Sequence, residues 1–314
     1  MQTFDAAALR SALPFGTLIP ALHAAFASHE LTVPARHVHT LGQGSDHAGT
    51  VLVMPAWSGA YLGIKTINIF PGNGRRGLPG LHATYLLYDA TNGVPLATMD
   101  GNEITARRTA AAAALGASFL ARADARRLLV LGSGRIARLL PEAMRSVRPG
   151  IDAVRVWNHR PEGAEALAAQ WRAEGLPARA ATDLEAAVRE ADIVSCATLA
   201  TAPLVRGAWL APGTHLDLIG SFTPQMKEAD AACFGGGARV CVDTDEALRK
   251  AGDLLDAIAA GALAPAGVHA TLAQLCRGER RGRTDPHGRT VFKAVGSALE
   301  DLAAATLAWE TRQA

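Results

Sequence analysis

Lysine is scarce in this chain: among 31 basic residues only Lys65, Lys227, Lys250 and Lys293 are lysines, and arginine supplies the rest. A charge excess of either sign is also missing, with 31 basic residues against 29 acidic ones, which argues against wholesale nucleic-acid binding. Long apolar runs are absent. The most apolar stretch, residues 110–120, is alanine-rich and too short to span a bilayer, so no membrane partner is expected. The N-terminal segment MQTFDAAALRSALPF has no basic region followed by a long apolar one, and no signal peptide is read there. Cys196, Cys233, Cys241 and Cys276 lack CxxC spacing, unlike a structural zinc site or a disulfide framework. They read as small core residues and point to a reducing, cytoplasmic compartment. His37, His39, His47 and His82 form neither HxxxH nor HExxH spacing, and no metal site is expected.

What is present is a chain of 314 residues, 49% hydrophobic and 19% charged, with a mean hydropathy of +0.12. That length predicts two domains or one elaborate one, and that hydropathy excludes a disordered chain. Residues 1–30 read as helix, with Leu9, Leu13, Ile19, Leu22 and Phe26 at helical spacing around Pro14 and Pro20. Segments 36–41, 50–57, 60–70, 82–88 and 94–99 alternate or are rich in Val, Ile and Tyr, and predict an antiparallel meander. A helix follows from about Glu103 to Ala123, opened by cap-forming residues and carried by Ala110–Ala114.

At Arg126 the pattern changes. Leu128-Leu129-Val130-Leu131 is wholly apolar, as a parallel strand buried on both faces should be. Gly132-Ser133-Gly134-Arg135-Ile136-Ala137 and a helix to Ser146 follow at once. Strands at 154–157, 178–180, 193–196, 214–219 and 239–242 alternate with helices at 162–173 and 183–190. This interval predicts a doubly wound parallel sheet, an α/β Rossmann arrangement, with a further helix from Val295 to Trp309.

The GxGxxA turn has the strand-to-helix context that a dinucleotide site requires. Gly132 permits the tight turn, Gly134 lets backbone approach a pyrophosphate, and Ala137 lets helix and strand pack closely. The helix N-terminus then offers free N–H groups to the phosphates. NAD-selective sites place an acid at the end of the second strand; here Asn158-His159-Arg160 stands there without one. Arg160 can grip a 2′-phosphate through two parallel charge-assisted bonds, or stand as a solvated surface residue. The expectation is NADPH over NADH.

Several segments together resemble the ornithine cyclodeaminase/mu-crystallin family of nicotinamide-dependent proteins. They are Gly63-Ile64-Lys65, Pro71-Gly72-Asn73, Thr105 to Ala111 (TARRTAA), the GSGRIA turn, His215 to Glu228 (HLDLIGSFTPQMKE) and Thr290 to Gly296 (TVFKAVG), in family order along nearly the whole chain. The resemblance implies an α+β substrate-binding and dimerisation domain over residues 1–122, completed by a C-terminal helix at 294–314. It also implies an NAD(P)-binding Rossmann domain over 123–293, and a homodimer. Family members act on small α-amino or α-imino acids, so Arg36, Lys65 and Arg108 match positions that bind the substrate's carboxylate, with Lys65 and Arg108 the catalytic pair. A guanidinium fork suits a carboxylate's two oxygens. A lysine kept in a chain that otherwise chooses arginine hints at a need for a compact, pKa-adjustable ammonium. By the same resemblance, cofactor contacts extend to Arg135, Ile136, Asn158, Thr198, Ile219 and Lys293. Lys293 could lie near the nicotinamide or simply pair with an acid.

One departure narrows the activity that the resemblance implies. Where ornithine cyclodeaminases carry an aspartate implicated in proton handling, this loop reads Gly220-Ser221-Phe222-Thr223-Pro224. Phenylalanine can neither take a proton nor activate water. Phe222 can wall an apolar pocket instead, which resembles the family branch that reduces the cyclic imino acids Δ1-pyrroline-2-carboxylate and Δ1-piperideine-2-carboxylate to L-proline and L-pipecolate. Ornithine cyclodeamination, an alanine-dehydrogenase-like reaction and non-catalytic NADPH-dependent ligand binding remain as alternatives. Arg75-Arg76 and the run Arg280, Arg281 and Arg283 are expected to be solvated, and Asp217 to be a hydrogen-bonded residue within a buried strand.

Overall fold

The computed structural model describes residues 1–45 and 48–313, so His47 lies outside the described residues. The chain divides into two compact units, Met1–Arg108 with Ser297–Ala314, and Thr109–Gly296. The division falls inside a long helix, after Arg108, whereas the resemblance implies a boundary after residue 122.

The first unit opens with β1 (Gln2–Phe4), α1 (Ala6–Ala12) and α2 (Phe15–Ala27). Residues 2–4 were expected to be helical and are a strand instead. Phe4 is buried and pairs in parallel with Met99, while the Asp5 carboxylate accepts from Ala8 N–H at 2.8 Å and starts α1 only after it. Pro14 separates α1 from α2, and Pro20 sits within α2. The expected meander is present as β2 (His37–Leu41), β3 (Gly49–Trp57), β4 (Tyr61–Ile69), β5 (Leu81–Asp89) and β6 (Pro95–Asp100). These strands form one sheet in the order β1-β6-β5-β4-β3-β2, antiparallel except for β1 with β6. The C-terminal helix, Ala298–Gln313, packs on α2 and on β3 and β4.

Helix α3 (Gly101–Leu120) begins where Asp100 accepts from Glu103 N–H at 2.8 Å. Near its end the Arg148 guanidinium donates to the carbonyls of Ala117, Ser118, Ala121 and Arg122, satisfying acceptors that a helix C-terminus leaves open.

The second unit is built on β7 (Arg127–Leu131), α4 (Arg135–Val147), β8 (Ala153–Trp157), α5 (Pro161–Ala173), β9 (Ala178–Ala180), α6 (Leu184–Glu190), β10 (Ile193–Cys196), β11 (His215–Leu218), β12 (Arg239–Val242), α7 (Ala247–Lys250), α8 (Gly252–Ala259), β13 (Ala270–Thr271), α9 (Leu272–Cys276) and β14 (Thr290–Lys293). The C-terminal helix is therefore α10. All eight strands are parallel, in the order β13-β12-β14-β11-β10-β7-β8-β9. The chain runs outward from β7 to β9 and then crosses back to place β10 on the other side of β7. The switch point of this doubly wound sheet therefore lies between β7 and β10.

Leu129, Leu131, Val194, Leu216, Leu218, Val240, Val242 and Val291 from the central strands share one core cluster. All four cysteines are buried and free. Strand β14 escaped the sequence pattern because its apolar run is only Val291-Phe292, yet it fills the place between β11 and β12. Arg283 corrects another expectation. It is half-buried rather than solvated, donating to the Leu120 carbonyl at 2.7 Å and to the Thr290 hydroxyl at 2.9 Å. Among the described residues no helix is long and apolar enough to cross a membrane.

Candidate functional site

In the first unit, β4 alternates with Gly63, Lys65 and Ile67 on its buried face. Directly opposed residues share a face, so Met54, Lys65, Tyr85 and Met99 form one row across four strands, and Phe4 continues it on β1. All five are buried, and Lys65 has no exposed surface at all. Gly63 belongs to this arrangement because a Cβ there would stand 1.8 Å from the Tyr85 hydroxyl.

A lysine in an apolar row needs an acid, and α10 provides it. Lys65 Nζ lies 2.5 Å from Asp301 Oδ2. The other Asp301 oxygen accepts from Arg108 Nε at 2.9 Å, and Arg108 Nη1 donates to Glu300 Oε2 at 2.6 Å. Asp301 thus holds the two expected catalytic cations side by side. Burial lowers the Lys65 pKa to about 8 against the upward pull of Asp301, while Arg108 opposes that pull. Burial also works against the charged form of Arg108, but Asp301 and Glu300 outweigh it and raise its pKa. Asp301 is kept below the usual carboxylate range, because Arg108 and Lys65 overcome its own burial. Arg36 immediately precedes β2, whose first pair is His37 with Val53, so it stands at the edge of the same sheet, two strands from β4. Asp301 and Glu300 had not been singled out in the sequence. Their signal is two adjacent acids in the first turn of a mainly apolar helix.

The second unit carries the glycine turn. Gly132 has φ +105° and its N–H donates to the Trp157 carbonyl at 2.8 Å. A Cβ on Gly132 would lie 2.6 Å from the Ala197 carbonyl oxygen, whereas one on Gly134 would meet nothing within 4 Å. The first glycine is therefore required by the fold, and the second leaves open space at the helix start. Gly134 is the N-cap of α4 and no side chain caps this end, so the first-turn N–H groups of Arg135 and its neighbours are free of side-chain capping. This fits a dinucleotide's pyrophosphate. Ala137 is fully buried against the sheet, and Ile136 is half-buried.

At the end of β8, the Asn158 side chain donates to the Arg160 carbonyl at 3.1 Å, and Arg160 is exposed at the start of α5. A Cβ on Gly163 would touch both Asn158 Nδ2 and Ser133 Oγ, at 2.7 and 2.8 Å, so the glycine turn and the β8 turn adjoin. Thr198 and Ile219 follow β10 and β11 on the other side of the switch point, and Ile219 N–H donates to the Cys196 carbonyl at 2.9 Å. Phe222 is 40% exposed in the loop after β11. Lys293 is fully buried at the end of β14, with Nζ 3.4 Å from Asp253 Oδ2. Asp217 accepts from the Ser195 hydroxyl inside the sheet, as expected of it.

The sequence profile of the ornithine cyclodeaminase/mu-crystallin family matches residues 5–314. A Delta(1)-pyrroline-2-carboxylate reductase of Paracoccus denitrificans is 40% identical, over 86% of this chain and 86% of that protein. The structure of Thermococcus litoralis Delta(1)-pyrroline-2-carboxylate reductase in complex with NADH and L-proline superposes with a TM-score of 0.93 at 30% identity, covering 100% of this chain and 98% of that one. An archaeal alanine dehydrogenase dimer with bound NAD gives a TM-score of 0.91 at 28% identity, covering 100% of this chain and 96% of that one.

Proposed function

This chain belongs to the ornithine cyclodeaminase/mu-crystallin family, and from that premise we propose that it reduces a cyclic α-imino acid, Δ1-pyrroline-2-carboxylate or Δ1-piperideine-2-carboxylate, with NADPH. The observation that carries this reading is the buried quartet of Lys65, Arg108, Asp301 and Glu300. Two cations and two carboxylates balance, so a guest with no net charge enters without leaving an uncompensated buried charge. A protonated imino acid, carboxylate plus iminium, is such a guest. Arg108 engages Asp301 and Glu300 through Nε and Nη1, and its Nη2, with a Lys65 proton, is assigned to the substrate carboxylate. Arg36, only half-buried at the sheet edge where solvent screens its charge, lies outside the quartet and is proposed as a further contact of that carboxylate.

When bound, the nicotinamide supplies the hydride to the carbon of the C=N bond. The chain's own residues bind, orient and protect. Lys65 and Arg108 fix the carboxylate, and with it the direction of the adjacent carbon. Phe222 offers an apolar face to the ring and no proton, which argues against cyclodeamination. The C=N electron pair passes to nitrogen, and Lys65, with its lowered pKa, is the chain's own proton source for the amine formed. The absence of an acid at Asn158-His159-Arg160 supports NADPH. A homodimer belongs to the same reading: β2 ends its sheet with all five residues exposed, an edge that a second copy can cover.

The test is a panel of the two cyclic imines, ornithine, and pyruvate with ammonia or methylamine, each with NADPH and with NADH. Turnover of a cyclic imine, faster with NADPH, is expected, and Arg160→Ala should lower kcat/KM for NADPH about tenfold or more while changing that for NADH little. Robust proline formation from ornithine, with neither imine reduced, would overturn the assignment. A preference for NADH that survives Arg160→Ala would overturn the cofactor choice.

A further inference from the structure

Glu228 is fully buried beyond the loop that follows β11. Its Oε1 accepts from the Thr198 backbone N–H at 2.7 Å and from the Thr198 hydroxyl at 2.8 Å, and its Oε2 accepts from the Gly220 N–H at 2.6 Å. One carboxylate thus ties the loop after β10 to the loop after β11. The two loops are in backbone contact there, since a Cβ on Gly220 would stand 1.9 Å from the Thr198 carbonyl oxygen. The same Thr198 loop abuts the glycine turn: a Cβ on Gly132 would lie 3.3 Å from the Thr198 methyl group. Glu228 is itself anchored, because its own N–H and that of Ala229 donate to Asp253 on α8 at 2.7 and 3.0 Å.

The geometry points to Glu228 as a positioning residue for the nicotinamide half of the cofactor, acting through Thr198 and Gly220. This rests on the dinucleotide reading above and adds a residue to it. In a doubly wound sheet the ligand lies outside the carboxyl ends of the strands, across the switch point. The adenosine half belongs to the side of the glycine turn and β8. The other half belongs to the side of β10 and β11, where the two tied loops border the crevice.

The brace requires an ionised carboxylate. Protonation turns one acceptor oxygen into a donor facing an N–H. Burial raises the Glu228 pKa to about 7, opposed by Lys293 on β14 and reinforced by Asp253 on α8. Cys196 on β10 also faces Glu228, and Lys293 also acts on Asp217 of β11. The brace is therefore complete above neutrality and lost as pH falls below it.

The experiment compares dissociation constants of whole cofactors with those of their adenosine halves: NADPH with adenosine 2′,5′-bisphosphate, and NADH with AMP. In Glu228→Gln at about pH 8, whole-cofactor binding should weaken about tenfold, while the half-molecules bind within about twofold of the unaltered chain. In the unaltered chain, the ratio of whole to half dissociation constants should rise as pH falls through about 7, and in the variant it should stay flat. Equal weakening of whole and half, or unchanged whole-cofactor binding, overturns the brace. If the variant does not fold, the pH series on the unaltered chain decides, and a flat ratio overturns the proposal. An unaltered chain that binds neither whole nor half would remove the dinucleotide reading together with the brace, which is distinguishable from failure of the brace alone.

Discussion

Lys65 is placed where an aliphatic side chain would pack more cheaply, between Met54 and Tyr85 in a buried row. Burial lowers its pKa, and Asp301 pulls the other way and keeps the ammonium accessible. The folded chain holds the Lys65 pKa at about 8, below its ordinary 10.5. Between those values the unfolded chain binds the proton and the folded one does not, so this group's contribution to stability rises with pH across that window. The ammonium needed at the site shows the opposite trend and is lost above about 8. For Δ1-pyrroline-2-carboxylate, kcat/KM should therefore fall on the alkaline side through that value. Asp301→Asn removes the main upward pull on Lys65 and should move this limb about one unit or more toward acid. The same change leaves two buried cations facing Glu300 alone and should cost about 3 kcal/mol of stability. A pH–rate profile with an unmoved limb in the variant would separate Lys65 from the proton chemistry.

At the scale of elements, the two fingerprint glycines do different work. Gly132 turns the chain with a positive φ against the Ala197 carbonyl, whereas Gly134 has an ordinary backbone conformation and open space where a Cβ would go. Gly134→Ala should accordingly cost no more than about 1 kcal/mol of stability, the price of a poorer N-cap, while weakening cofactor binding about tenfold or more. Denaturant melts and cofactor titrations on one preparation check this; a loss of affinity matched by an equal loss of stability would contradict it. Strand β7 and its turn were legible from the sequence because a doubly buried strand is a continuous apolar run and the glycines follow it. Strand β1 and strand β14 were not. Three residues before an Asp cap, and two apolar residues ahead of a buried lysine, leave no period to read, and only pairing with β6, β11 and β12 makes them strands.

At the scale of the whole chain, the sequence pattern was enough for a parallel sheet following an antiparallel one, and the motifs singled out Lys65 and Arg108, which the structure brings together on Asp301. The acids that hold those cations were hidden. Glu300 and Asp301 lie almost two hundred positions from Arg108 in sequence, and no local pattern marks a contact made by the return of α10 to the first unit. The near-zero net charge has the same character. It conceals a balanced, buried quartet whose neutrality suits a zwitterionic guest better than a simple carboxylate. The most direct test of that account is stoichiometric: NADPH consumed and L-proline formed, followed together during reduction of Δ1-pyrroline-2-carboxylate. One L-proline for each NADPH, abolished by Lys65→Met, is the expected result. No NADPH consumption with either cyclic imine, or turnover undiminished in Lys65→Met, would contradict it.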